Sequence, residues 1–149
     1  MKYLCIDYGR RRIGVAVSDP SAVIATARPT IDRNITGDCF SDLVLLINTE
    51  NPDELVVGLP LDVDDNESGF CKEIKTFCKK LKAVLPKDIP INFQDESFSS
   101  HKSNLILQRT SAKKRRVQKG NVDRIAACVI LQDFLDDRSN SVHRFVWEN

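Results

Sequence analysis

The chain has no apolar run approaching the roughly 20 residues that a bilayer requires, so nothing in it reads as a membrane segment. Its start, MKYLCIDYG, lacks the apolar core and small-residue cleavage site of a secretory signal, which points to the cytoplasm. It has no C-x-x-C pair. Its five cysteines, Cys5, Cys39, Cys71, Cys78 and Cys128, are odd in number and mostly embedded in apolar patterns. That argues against zinc and against a disulfide frame, and favours small buried hydrophobes in a reducing compartment. An excess of one charge is also missing. The formal net charge is +1, so any nucleic-acid footprint must be local. No internal repeat or linker breaks the 149 residues, a length that suits one domain with a sizeable core.

What is present is a change of period along the chain. Lys2 to Asp7 reads as a strand, and "RIGVAVS" from Arg12 to Ser18 as a second, with a basic hairpin between them. Asp19-Pro20 marks a turn, and "AVIATARPTI" from Ala22 supplies a third strand with Pro29 near its end. Together these make an antiparallel meander. From about Thr36 to Thr49, Phe40, Leu43, Val44 and Ile47 recur at i, i+3, i+4 and i+7, the stripe of an amphipathic helix. "ELVVGLP" from Glu54 is a short continuous apolar run, as in a buried parallel strand, and the acidic loop "LDVDDNESG" follows. Phe70, Ile74, Phe77, Cys78 and Leu81 mark a second helix that stops before Pro86. "IPINFQDES" is a strand ending on Asp95 and Glu96.

A short helix is expected around Ser100 to Gln108, then a polar loop, "RTSAKKRRVQKGN". "NVDRIAACVILQDFLDD" is the strongest helix in the chain, with Asn121 as a cap. The tail "VHRFVWEN" alternates weakly and suits either a docked strand or a partner-binding segment. The order β-β-β-α-β-α-β-α-α gives an α/β domain, a mixed sheet with a three-stranded antiparallel meander flanked by helices. We place this domain at residues 1–138 and a C-terminal tail at 139–149.

Carboxylates close two of the strands and open the last helix: Asp7, Asp95 with Glu96, and Asp123. Strand ends and a helix packed across them can converge. Three converging carboxylates repel one another unless a cation neutralises them. Oxygen donors with no nearby His or Cys suit Mg²⁺ or Mn²⁺, and a pair of such ions can activate a water and stabilise a leaving oxygen in phosphodiester hydrolysis. Each residue also has a plainer reading. Asp7 could be a turn former, Asp123 a favourable helix-dipole residue, and Asp95-Glu96 the start of a solvated loop.

The segments "IDYGRRRIGVAVSDP", "VVGLPLDVDD", "QDESFSS" and "VDRIAACVILQDFL" resemble, in order, the four signature blocks of the YqgF/RuvX family. These are small bacterial ribonuclease-H-like proteins described as pre-16S rRNA nucleases and Holliday junction resolvases. The likeness spans about residues 3–136, and its first and last blocks are the most specific. It implies a ribonuclease-H-like fold with acidic residues at Asp7, at Asp95 or Glu96, and at Asp123. Where family members often carry a hydroxyl residue after the first-block glycine, this chain has Arg10. Where they commonly carry Arg after the D-E pair, it has Ser97.

These readings combine into a metal-dependent nuclease with Asp7, Glu96 and Asp123 as ligands of Mg²⁺ or Mn²⁺, and Asp95 as a second choice. Alternate residues of a strand face opposite ways, so Asp95 and Glu96 cannot share a face while the strand stays regular. Arg10, Arg11 and Arg12, with Lys113, Lys114, Arg115, Arg116 and Lys119, are the candidate nucleic-acid contacts; a solvated hairpin tip and a solvated charge run are their plainer readings. The expected substrate is precursor rRNA. Branched DNA, or a non-catalytic role in ribosome assembly, is the alternative. Monomer and homodimer remain equally open.

Overall fold

A computed structural model gives the fold. It describes residues 1–60, 69–95, 122–139 and 145–147, with backbone alone at 122–124, 139 and 145–147. The elements are β1 (Tyr3–Asp7), β2 (Arg12–Ser18), β3 (Ala25–Asp32), α1 (Cys39–Glu50), β4 (Glu54–Leu59), α2 (Gly69–Val84), β5 (Ile91–Asp95), α3 (Val122–Ser139) and β6 (Phe145–Trp147). The strands form one sheet in the order β3-β2-β1-β4-β5-β6. The expected meander is there: β1 with β2 and β2 with β3 are antiparallel. β4 runs parallel to β1, and β5 parallel to β4. The tail residues 145–147 dock as a strand, antiparallel to β5. The expected acidic loop, the short helix near residue 100 and the basic loop lie outside the described residues.

Two apolar clusters sandwich this sheet. Leu4, Ile6, Val15, Leu55, Val57, Ile91 and Phe93 pack against α1 and α2. Tyr3, Cys5, Ala16 and Val56 pack against Ala127, Ile130, Leu131 and Phe134 of α3. β4 is apolar after Glu54 because both of its faces are covered. Side chains such as Phe134, Leu131 and Ile74 are fully buried, and each burial is worth about 1.5–3 kcal/mol. None of the five cysteines is in a disulfide, and four are buried. Burial pushes the Cys78 thiol up to about 12. Among the described residues no helix is long and apolar enough to cross a membrane.

Turn chemistry moves some boundaries. The third strand starts at Ala25, because Asp19 organises the preceding turn. Its carboxylate accepts the N–H groups of Ser21, Val23 and Ile24 at 3.2, 2.8 and 2.8 Å, which holds it below the ordinary range. Pro29 is tolerated because β3 is an edge strand whose pairing shifts register opposite Ile13–Val15. Asp38 caps α1 by accepting from the Phe40 N–H, and Asn51 ends it in the left-handed region at φ 50°.

Candidate active site

The alternation of β1 divides its side chains between the two clusters. Leu4, Ile6 and the following Tyr8 face α1 and α2, while Tyr3 and Cys5 face α3. Asp7 therefore emerges on the α3 face, half-buried, at the carboxyl end of the central strand. Its register partner on β2 is Gly14. On β4 the next residue after Val57, the partner of Ile6, is Gly58. Glycine is thus the direct neighbour of Asp7 on both adjacent strands.

The end of β5 lies in the same row, since Gln94 pairs with Gly58 and Asp95 with Leu59. Ile91 and Phe93 belong to the α1/α2 cluster, and Asp95 shares their parity. Gln94 points the other way and donates to Asp137 of α3 at 3.1 Å. Asp95 is exposed and faces away from Asp7. Glu96 lies outside the described residues.

Helix α3 is also tied down at the amino end of β1. Phe134 meets Tyr3 edge-on at 5.1 Å, and the Arg138 guanidinium lies 5.5 Å from the Tyr3 ring. The Gln132 amide accepts from the Ala25 N–H at 3.1 Å and donates to the Val23 carbonyl at 2.9 Å. Asp123 is in the first turn of α3, where only the backbone is described. Among the described residues no three His, Cys, Asp or Glu side chains gather as a metal cluster.

The basic turn after Asp7 is more committed than the sequence suggests. Gly9 closes it: a Cβ there would stand 2.2 Å from the Arg12 carbonyl oxygen, so no larger residue fits without moving the turn. Arg10 turns towards α2, its Nη2 3.2 Å from Glu73 and its guanidinium 5.2 Å from the Phe70 ring. The Tyr8 hydroxyl donates to Glu73 at 2.8 Å and accepts from Arg33 at 3.2 Å. Arg33 also donates to the Gly9 carbonyl at 3.2 Å. The Arg10 bond, then the Tyr8 bond, holds the Glu73 carboxyl below its usual range, while burial raises the Tyr8 phenol. Arg12 leans towards Asp32 at 4.0 Å, and Arg11 is exposed. The five basic residues from Lys113 to Lys119 lie outside the described residues.

Sequence reasoning missed Glu73, Arg33 and Gln94. Only Gln94 carried a signal, as an amide inside an otherwise apolar strand.

Comparison with known proteins adds identity to this geometry. The family model for RuvX, described as "Holliday junction resolvase", matches residues 1–137. A relative from Lawsonia intracellularis is 39% identical over 136 residues, covering 91% of this chain and 94% of its own. One from Crocosphaera subtropica is 36% identical over 139 residues, covering 93% and 95%. Both carry the name "Putative pre-16S rRNA nuclease". Among solved structures, the chain is similar to Thermus thermophilus RuvC in complex with a Holliday junction substrate, with TM-score 0.56, 10% identity and coverage of 97% and 99%. It is also similar to the fowlpox virus resolvase in complex with Holliday junction DNA, with TM-score 0.58, 12% identity and coverage of 93% and 99%. Those two likenesses are of fold, and they match the ribonuclease-H-like sheet expected from the sequence. The chain belongs to the RuvX family.

Proposed function

We propose that this chain is a metal-dependent nuclease acting at the carboxyl end of β1, in 5′-end maturation of pre-16S rRNA. The observation that carries the site is Asp7, half-buried at the tip of the central strand on the face covered by α3. Two spans support Asp123 as its companion. Asp123 lies eleven residues before Phe134, about 16 Å of helix. Tyr3, which Phe134 touches, lies four residues before Asp7, about 13 Å of strand. A helix running back over β1 and β2 brings its first turn level with Asp7. The parity of β5 supports Glu96 over Asp95 as the third ligand, because Gln94 faces α3 and Asp95 does not.

The donor set suits a hard divalent cation. Gly14 and Gly58 leave room beside Asp7 on the neighbouring strands, and carboxylate oxygens favour Mg²⁺ or Mn²⁺. Bound ions supply a nucleophilic water and stabilise the leaving oxygen. The protein's own part is to supply Asp7, Glu96 and Asp123 as the carboxylate ligands. Arg11 and the segment with Lys113, Lys114, Arg115, Arg116 and Lys119 hold phosphates near them. Arg10 and Arg12 exchange carboxylate partners for phosphate when substrate arrives. The names of the relatives favour precursor rRNA. The family's description and the two resolvase folds favour branched DNA, as the second reading.

Incubating the protein with precursor rRNA, a four-way DNA junction and plain single strands, in Mg²⁺, Mn²⁺ or EDTA, separates these readings. Cleavage of the precursor is expected with either metal and not with EDTA. Asp7→Asn should lose more than about a hundredfold in rate, with an unchanged circular dichroism spectrum. Parental turnover in that variant would remove Asp7 from the ligand set. Cleavage of the junction alone would give the chain to branched DNA.

A further inference from the structure

We infer that the outer face of α2 is a second nucleic-acid contact, a lysine strip that grips the phosphodiester backbone of the substrate beyond the carboxylate end. The inference rests on the nuclease reading above. Residues 69–88 hold six lysines and two acidic residues, in a chain of net charge +1. Lys72, Lys75, Lys79 and Lys82 stand at i, i+3, i+7 and i+10 of α2, which aligns them along one strip of its surface. The buried stripe is Cys71, Ile74, Phe77, Cys78 and Leu81. Lys72 and Lys79 are exposed, and Lys75 and Lys82 half-buried. Glu73 is turned to Tyr8 and Arg10, off the strip. Asp88 meets Lys82 at 3.3 Å, at the far end.

Position and spacing fit a nucleic-acid strand. The Lys75 ammonium lies 6.0 Å from the centre of the Phe93 ring, and Phe93 precedes Asp95 by two residues on the same face of β5. The strip therefore starts beside the carboxylate end of the sheet. The short connection from Val84 to Ile91 brings the end of α2 to the start of β5, so the strip runs away from that end. It finishes at a hollow of about 350 Å³ lined by Lys79, Lys82, Leu85, Pro86, Lys87 and Asp88. From Lys72 to Lys82 the helix rises about 15 Å. A strand at about 3.4 Å per nucleotide lays four or five phosphates over that distance.

The test uses the full chain carrying Lys72→Gln, Lys75→Gln and Lys79→Gln together, and a counterpart with arginine at all three positions. Glutamine and arginine keep the helix propensity of lysine, and circular dichroism checks the fold. Binding is measured without divalent metal, over a series of salt concentrations. The probes are an RNA strand just long enough to cover the carboxylate end, the same strand extended, and poly-glutamate. With glutamine, the extended strand should bind about 10–100-fold more weakly at low salt, and the magnitude of its log K against log salt slope should fall by about 2. Arginine should restore both, and the short strand should not respond. An unchanged slope on the extended strand overturns the proposal. Equal losses on both strands also overturn it, by putting these lysines inside the carboxylate site. A loss confined to poly-glutamate binding overturns it as well, and gives the strip to an acidic protein. Because the assay lacks metal, a failed strip leaves the Asp7→Asn cleavage test standing, and the reverse.

Discussion

The two ends of β1 use carboxylates in opposite ways. At the amino end, Glu50 accepts from Lys2 at 2.9 Å and from Arg28 at 2.7 Å, joining α1 to β1 and β3. Asp53 accepts the Lys2 N–H at 2.8 Å, and Ser18 accepts the Tyr3 N–H at 2.8 Å. Each acid there is matched across elements that are distant in sequence, so it works as a staple. At the carboxyl end, Asp7 stands between strands that present glycine beside it, and Asp95 stands exposed in the same row. The nearest arginine in sequence, Arg10, is drawn to Glu73 on the other face. One strand thus ends in structural acids at one tip and in a candidate metal ligand at the other. Acids at the amino end should matter for stability and not for cleavage, and acids at the carboxyl end the reverse.

The largest effect that could break this contrast lies on β5. Glu96→Gln should reduce cleavage by more than about a hundredfold, as expected for a direct ligand, whereas Asp95→Asn should cost less than about tenfold. The warrant is strand parity, with Asp95 on the face of Phe93 and away from Asp7. Single-turnover rates in Mg²⁺ decide it, and the reverse order would make Asp95 the ligand. Asp123→Ser sharpens the same point. A residue that merely complements the helix dipole would cost about 1 kcal/mol or less and no activity. A ligand would cost nearly all activity with little change in Tm.

Next in size is the clamp at the amino end. Phe134 is fully buried and meets Tyr3 at 5.1 Å. Phe134→Ala should destabilise the fold by about 3–5 kcal/mol, read by urea denaturation. Activity per folded molecule should be retained at low temperature, because the cavity opens at the Tyr3 end of the strand. A loss of activity beyond the loss of folded molecules would show that the two ends are mechanically coupled through α3.

Much of this was legible in the sequence, for identifiable reasons. The meander and the parallel strands announced themselves through period-two alternation and the unbroken "LVV" of β4, and the helices through stripes such as Phe40, Leu43 and Ile47. The position of Asp7 at a strand tip was legible because an aspartate follows an apolar run directly. Partnerships across long separations were not. Arg10 and Glu73 are 63 residues apart, and nothing local to either says that they meet. The Asp19 turn was hidden because "AVI" looks like the start of a strand, although Asp19 takes the N–H groups that a strand would need. The docking of 145–147 depends on β5 offering an open edge, which is a property of the sheet and not of the tail. The lysine strip of α2 is hard to read from sequence because it repeats with the same period as the apolar stripe.

The smallest effect tests the staple directly. Glu50 is largely buried, and the Arg28 hydrogen bond, helped by Lys2, holds its carboxyl below the usual range. A carboxyl whose folded pKa lies below its unfolded value, about 4.3, adds stability that is fully present above that value. The contribution is lost as the pH falls through the folded value. Glu50→Gln keeps the size of the side chain and removes the charge, so it should cost about 1 kcal/mol at neutral pH. The gap between parent and variant should narrow at acid pH, below the unfolded value, where the parent's own carboxylate is being protonated. Cleavage at neutral pH should be unchanged. Denaturation of both chains at the two pH values measures the gap. A gap independent of pH would mean that Glu50 acts through packing rather than charge. A fall in cleavage would mean that the acids at the two ends of β1 do not work separately.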